Sequence, residues 1–241
     1  MKVSLFIAII VLSGALAGVS LGLVNLVIVE PYLDTAIGIE NQSLFASGEE
    51  EDTPEFWANY YSYRVWQKGG QLLAGAILGT SLGTLFGIVF AYSKNALPGK
   101  SMIKKALVLS LIMWATLYVI PFAKYPANPP TVGDPETIML RQSLYLAFMA
   151  ISGLGALGFY QVYKKVNKKA IAFAGYGIMM AVVFFVMPPN PDPVQIDSGL
   201  LTGFRVTSMI GMSVFWGVVA IILGALWQKT NPDRTAQAKY Q

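Results

Sequence analysis

Six stretches free of Asp, Glu, Lys and Arg run along the 241-residue chain, at 3–29, 69–92, 106–122, 144–162, 170–187 and 206–227, and polar segments separate them. A helix rising about 1.5 Å per residue crosses a hydrocarbon core of about 30 Å in roughly 20 residues, so each stretch can span a membrane. The pattern predicts an all-α membrane protein with six transmembrane helices. The polar segments alternate in kind. Short lysine-rich links follow every second helix. The others are an outer acidic loop at 30–65 and two proline-rich outer loops at 121–140 and 188–204. We read residues 1–241 as a single polytopic domain of three helical hairpins. The first stretch opens as a secretory signal would, with Lys2 before an apolar run and small residues at Ala15 and Ala17, but the run continues to Val29. We therefore read it as a membrane helix.

Composition agrees, with 55% hydrophobic residues, 12% charged residues and a mean hydropathy of +0.55. Charge then orients the chain. Lys2, Lys94, Lys100, Lys104, Lys105, Lys164, Lys165, Lys168, Lys169, Lys229, Arg234 and Lys239 make up 12 of the 17 basic residues. All of them lie at the ends or in the lysine-rich links. Basic residues accumulate on the cytoplasmic side, so both termini are expected inside the cell membrane. The opposite side carries 12 of the 13 acids, Asp233 being the exception. A basic inner face implies contact with anionic membrane lipid, and no nucleic-acid module is readable.

The two proline-rich loops share a plan. Asn128 and Asn190 each precede a proline, Val132 and Val194 follow four residues later, and each loop runs on to an arginine, Arg141 or Arg205. Arg64 begins the second helix of the first hairpin in the same way. Prolines outside the helices stiffen the loops without removing a helical hydrogen bond. Glycines recur every four residues at Gly14, Gly18 and Gly22 and at Gly75, Gly79, Gly83 and Gly87. Such small-residue stripes let helix backbones approach closely, and we read them as helix-packing seams.

Arg64, Arg141 and Arg205 sit where the positive end of a helix disfavours a cation, so nearby carboxylates are needed. Glu30, Asp134, Glu136 and Asp197 lie at comparable depth. We take the three arginines, with Asn128 and Asn190, as structural anchors. Arg64, Lys68 and Gln71 share a helical face that carries polarity inward. The run Glu49, Glu50, Glu51, Asp52 and Glu55 reads as a solvated segment, and Asn41-Gln42-Ser43 is a glycosylation sequon expected on the same outer loop. Met179, Met180, Met187, Met209 and Met212 read as packing. The "PGKS" at 98–101 lacks the first glycine of a phosphate-binding loop. The chain has neither cysteine nor histidine, and no nucleophile, base and orienter set is readable, so we expect no enzyme and no permanently bound cofactor.

"EPYLDTAIGIE" at 30–40, the Arg64, Gln67, Gly69 pattern, "PFAKYPANPPTVGDPETI" at 121–138 with Arg141 and Tyr145, and Phe204-Arg205 together resemble the CbtA family. That resemblance implies a multi-pass subunit of a cobalt uptake system, often accompanied by a small single-span partner, CbtB, that carries histidines. It makes a divalent cation the transported species. Oxygen ligands would then do part of the work that imidazole does elsewhere, and we assign cation contact to Glu30, Asp134 and Glu136. The alternative reading is a non-transporting scaffold or accessory subunit of a larger membrane complex, with glycine seams and stiff loops as docking surfaces.

Overall fold

A computed structural model describes residues 3–130 and 132–233. Its helices are α1 (Val3–Val24), α2 (Glu30–Ser47), α3 (Pro54–Ser93), α4 (Met102–Trp114), α5 (Ile120–Lys124), α6 (Ile138–Val166), α7 (Lys169–Val186) and α8 (Ser198–Thr230). No strand occurs among the described residues. Six continuous helical rods are long and apolar enough to cross a membrane.

Two of the rods contain a proline past their first turn, Pro31 and Pro121, and both adapt in the same way. A proline inside a helix lacks the N–H and presses its ring on the carbonyl four residues earlier. Here the backbone widens into a π-turn just before it, at Asn25–Val29 ahead of Pro31 and at Ala115–Val119 ahead of Pro121. The helix therefore continues through the proline. Val29-Glu30-Pro31 and Val119-Ile120-Pro121 have a third counterpart in Val186-Met187-Pro188, where α7 stops instead. This Val-x-Pro signature extends the repeat to the first hairpin, a relation that the Asn-Pro loops did not reveal.

The segment 30–65, expected as a loop, is mostly helical. Pro31 occupies the first turn of α2, Gly48 ends it at φ 77°, and Thr53 caps α3 by accepting the Phe56 N–H at 3.2 Å. Only the turn between Ser47 and Pro54 is non-helical. Polarity alone suggested a loop, but nothing in "EPYLDTAIGIENQSLFAS" breaks a helix once its proline sits in the first turn.

By compactness the chain divides into one unit of residues 1–111 with 202–241 and another of residues 112–201. In the first, α1 runs along α3 on its glycine stripe. A Cβ built at Gly18 would overlap the Gly75 carbonyl, and one at Gly79 would reach the Gly18 Cα. Only hydrogen fits at these crossings, which is the close backbone approach that small-residue stripes permit. Deeper in the unit, Phe86 of α3 meets Trp216 of α8 and Phe90 meets Trp227, all essentially buried. Ser110 of α4 donates to the Trp216 carbonyl at 2.5 Å.

The second unit packs α5 and α7 on α6. Tyr125, Phe148 and Met180 form its buried centre, with Met179 and Met187 against it, so these methionines are packing groups. Ser152 of α6 donates to the Thr116 carbonyl in the second π-turn at 2.5 Å and shares a hydrogen bond with the Tyr176 hydroxyl at 2.7 Å. A π-turn leaves main-chain carbonyls poorly served, and here a neighbouring hydroxyl supplies the donor.

Candidate functional site

In the first unit, α2 and α3 bring together a charged layer. Glu30 and Asp34 lie one helical turn apart on α2, and Arg64, Gln67, Lys68 and Gln71 follow helical spacing on α3. Arg64 is only 7% exposed, and one of its nitrogens, Nη2, donates to both carboxylates: Glu30 and, at 2.7 Å, Asp34. Gln67 accepts from Nη1 at 2.8 Å. The second Glu30 oxygen accepts from Gln71, while Lys68 reaches Asp34 at 2.8 Å and comes within 3.9 Å of Glu30. Two acids and two bases make the layer formally neutral. That balance is what lets a glutamate and an arginine lie buried at this depth, since either charge alone would be left without compensation.

Glu30 is thus committed to Arg64 and Gln71. The sequence called for a carboxylate near Arg64 and placed Glu30 among four candidates while assigning it to cation contact; the share of Asp34 was not anticipated, although its position four residues after Glu30 was the available signal. Asn41 is 6% exposed inside α2, with its side-chain nitrogen buried and unpartnered, so the sequon is not displayed on a loop.

The second unit fastens the two Asn-Pro loops to each other. The key residue is Asp192, whose side chain is 7% exposed. One of its oxygens, Oδ2, accepts from the Thr137 hydroxyl at 2.6 Å and from the Asp134 N–H at 3.2 Å, and it forms an ion pair with Arg141, whose Nε lies 3.0 Å away and donates to Thr137 Oγ1. Arg141 also donates to the Val132 and Asp134 carbonyls at 3.2 and 3.0 Å. Gly133 takes φ 103° beneath this knot, and a Cβ there would stand 2.5 Å from Asp192 and 2.7 Å from Arg141. Arg141 was expected as an anchor, whereas Asp192 was not singled out. Its setting in "NPDP", between two prolines that hold it rigid, was the sequence signal.

Asp134 and Glu136 are exposed on the first of these loops. Asp134 caps the short turn Pro135–Thr137 by accepting the Glu136 N–H at 2.8 Å. Asp197 accepts the Leu200 N–H at 2.8 Å, capping α8. Arg205 lies half-buried on that helix. Asn128 and Asn190, one from each loop, line the same cavity of about 460 Å³, along with Tyr118, Tyr145, Arg141 and Gln142. The Asn190 side-chain oxygen is buried without a partner. The repeated loops therefore meet, and they do so over a hollow. Among the described residues, no three of Asp, Glu, His or Cys converge into a metal site.

At the lysine-rich end of α3, Lys94 is 8% exposed and holds both Asp233 oxygens, at 2.6 and 2.8 Å, while lying 4.5 Å above the Trp227 ring. The Trp227 indole donates to the same carboxylate at 3.1 Å. Burial alone would raise the Asp233 carboxyl, but the Lys94 and Trp227 hydrogen bonds and the lysine charge outweigh it and hold the carboxyl below its ordinary value. This explains the one acid found among the basic segments.

No curated protein and no solved structure matches the chain. A family model does match, described as probable cobalt transporter subunit (CbtA), over residues 3–228. With that match across nearly its whole length and six membrane-spanning rods, the chain is a multi-pass membrane protein that belongs to the CbtA family of probable cobalt transporter subunits.

Proposed function

We propose that this chain is the polytopic subunit of a cobalt uptake system in the cell membrane, with both termini in the cytoplasm. The observation that carries the reading is the exposed pair Asp134 and Glu136 on a loop clamped by Asp192 and Arg141. A clamped loop presents oxygen ligands at low entropic cost to an arriving cation. Of the carboxylates assigned to cation contact, these two are available. Glu30 would have to exchange Arg64 or Gln71 for the ion, and its part in the proposal is to hold the charged layer together with Arg64.

Cobalt is well served by imidazole, and the chain contains no histidine. A small single-span CbtB-like subunit supplying imidazole completes the ligand set in this reading. The transported cation is cargo, with no cofactor permanently bound. The scaffold reading loses one of its supports, since the glycine stripes of α1 and α3 face each other instead of a docking partner.

The test is cobalt and nickel uptake into sealed proteoliposomes holding the chain with and without its single-span partner. Uptake that falls at least tenfold at low cobalt in the Asp134→Asn/Glu136→Gln double variant supports the assignment. Uptake unchanged in that variant removes the two carboxylates from the path. No uptake under any condition returns the chain to the scaffold reading.

A further inference from the structure

Pro31 and Pro121 each deprive one main-chain carbonyl of its donor. In the first π-turn the Glu30 N–H reaches the Asn25 carbonyl, and the next donor in that register would be Pro31, which has no N–H, so the Leu26 carbonyl goes without. The second π-turn repeats the defect and repairs it. There the Ile120 N–H serves Ala115, Pro121 cannot serve Thr116, and the Ser152 hydroxyl does so at 2.5 Å. Among the described residues no side chain donates to Leu26. It lies within the charge-free stretch 3–29, where an unmet carbonyl is costly. Two side-chain oxygens stand close by register. The Gln71 backbone is level with Gly22, whose Cβ would lie 3.0 Å from the Gln71 carbonyl oxygen. Its side-chain nitrogen nevertheless reaches Glu30, about 12 Å further along the rod, so the Gln71 amide passes Leu26 on the way. That bond occupies the nitrogen and leaves Gln71 Oε1 without a described donor. Asn25, half-buried beside Leu26, holds its amide oxygen against α8, 2.7 Å from where a Cβ on Gly211 would stand. Its side chain makes no hydrogen bond with any described residue, and a polar group so placed in a membrane rod is a candidate for function.

We infer that the Leu26 carbonyl, Asn25 Oδ1 and Gln71 Oε1 together bind a monovalent metal cation, sodium, at the first π-turn. Carbonyls freed where a membrane helix departs from its regular ladder are the groups that hold sodium in transporters. Glu30 supplies negative potential from behind, since one of its oxygens faces Arg64 and the other takes the Gln71 N–H. Donating to a carboxylate also polarises the Gln71 amide and makes its oxygen a better ligand. A dication does not suit the same site. The cost of removing water grows with the square of the charge, and all three ligands are neutral. Sodium bound here takes hold of Gln71, and through it of the charged layer, so a sodium gradient can drive the movement of the cargo. That use rests on the uptake reading above, whereas the site itself does not.

Pro31→Ala discriminates, because it returns the missing N–H to Leu26 and takes the carbonyl away from the ion without touching the other two ligands. The experiment is a scintillation proximity assay of radioactive sodium on the purified full-length chain. The expected result is saturable binding by the wild type, an affinity loss of about tenfold or more in Pro31→Ala, and no loss in Pro121→Ala, whose carbonyl Ser152 already serves. Asn25→Leu, which removes one oxygen, gives a loss of about the same size and covers the case of a poorly folded proline variant. No saturable binding by the wild type, affinity within about threefold of wild type in a folded Pro31→Ala or Asn25→Leu, or an equal loss in Pro121→Ala each overturns the site. In the proteoliposome assay an inward sodium gradient speeds cobalt uptake by the wild type and not by Asn25→Leu, and uptake indifferent to the gradient overturns the coupling. No cobalt uptake at all counts against the uptake reading, while the sodium binding assay, which needs no transport, decides the site.

Discussion

Replacing Asp192 by Asn keeps the shape of the clamp between the loops and removes its charge. In the wild type one oxygen takes two donors, from Thr137 and Asp134, and pairs with the Arg141 charge. A hydrogen bond to a charged group contributes about 1.5–3 kcal/mol net and a neutral one about 0.5–1.5, so neutralising the acceptor weakens each by about 1 kcal/mol. Two such bonds give about 2 kcal/mol, and loss of the arginine's counter-ion adds about 1 kcal/mol. The Arg141 side chain is 25% exposed, so water recovers part of this, and about 2–3 kcal/mol remains. That amount raises the open population of the loop by about 30- to 150-fold. Hydrogen exchange reads it directly, because the amides of Val132, Asp134, Glu136 and Thr137 are all bonded within the clamped loop. Their exchange accelerates by that factor in the variant while the amides of α6 stay unchanged. In a double-mutant cycle with Arg141→Met, the two substitutions couple by more than about 1 kcal/mol. Exchange within threefold of wild type, or additivity in the cycle, would refute the clamp.

Other expectations follow from the same geometry. Glu30→Ala leaves Arg64 buried beside an incomplete layer, and thermal unfolding in detergent should show a loss of about 3 kcal/mol or more. Arg64→Ala should be comparable, and the double variant less severe than their sum. Gly18→Leu forces α1 away from α3 where a Cβ already overlaps the Gly75 carbonyl, so a folded, monodisperse protein should not be recovered, while the same change at Gly217, which has open space around it, should be tolerated. The Asp233 carboxyl is held below its ordinary value near 3.8, so the stability it contributes is fully present above that pH. It is lost as pH falls through the lower folded value, and in Lys94→Met this acid-side loss should shrink when unfolding is followed by tryptophan fluorescence.

The number and order of the membrane rods could be read from the sequence because hydrocarbon excludes charge, and a run without Asp, Glu, Lys or Arg records that exclusion residue by residue. The glycine stripes were legible for a similar reason, since close backbone approach tolerates few side chains. An acid beside Arg64 could be anticipated because few acids lay at that depth, but the reason differs from the expected one: α3 begins at Pro54, so Arg64 lies well inside the helix and it is burial, not the helix end, that requires the partner. Continuation of the first rod past Glu30 was hidden, because polarity in a sequence does not tell a solvated helix from a loop. The π-turns that carry Pro31 and Pro121 were hidden too, since whether a proline bends, ends or widens a helix depends on which neighbours can serve the freed carbonyls. Asp192 gained its role only from the fold. Residues 134, 137 and 141 are more than fifty positions away in the chain, and only the packing of α5, α6 and α7 brings them onto one carboxylate. The periodic features were set by the membrane acting on each segment separately, whereas the clamp and the cavity beneath it needed segments distant in sequence to meet.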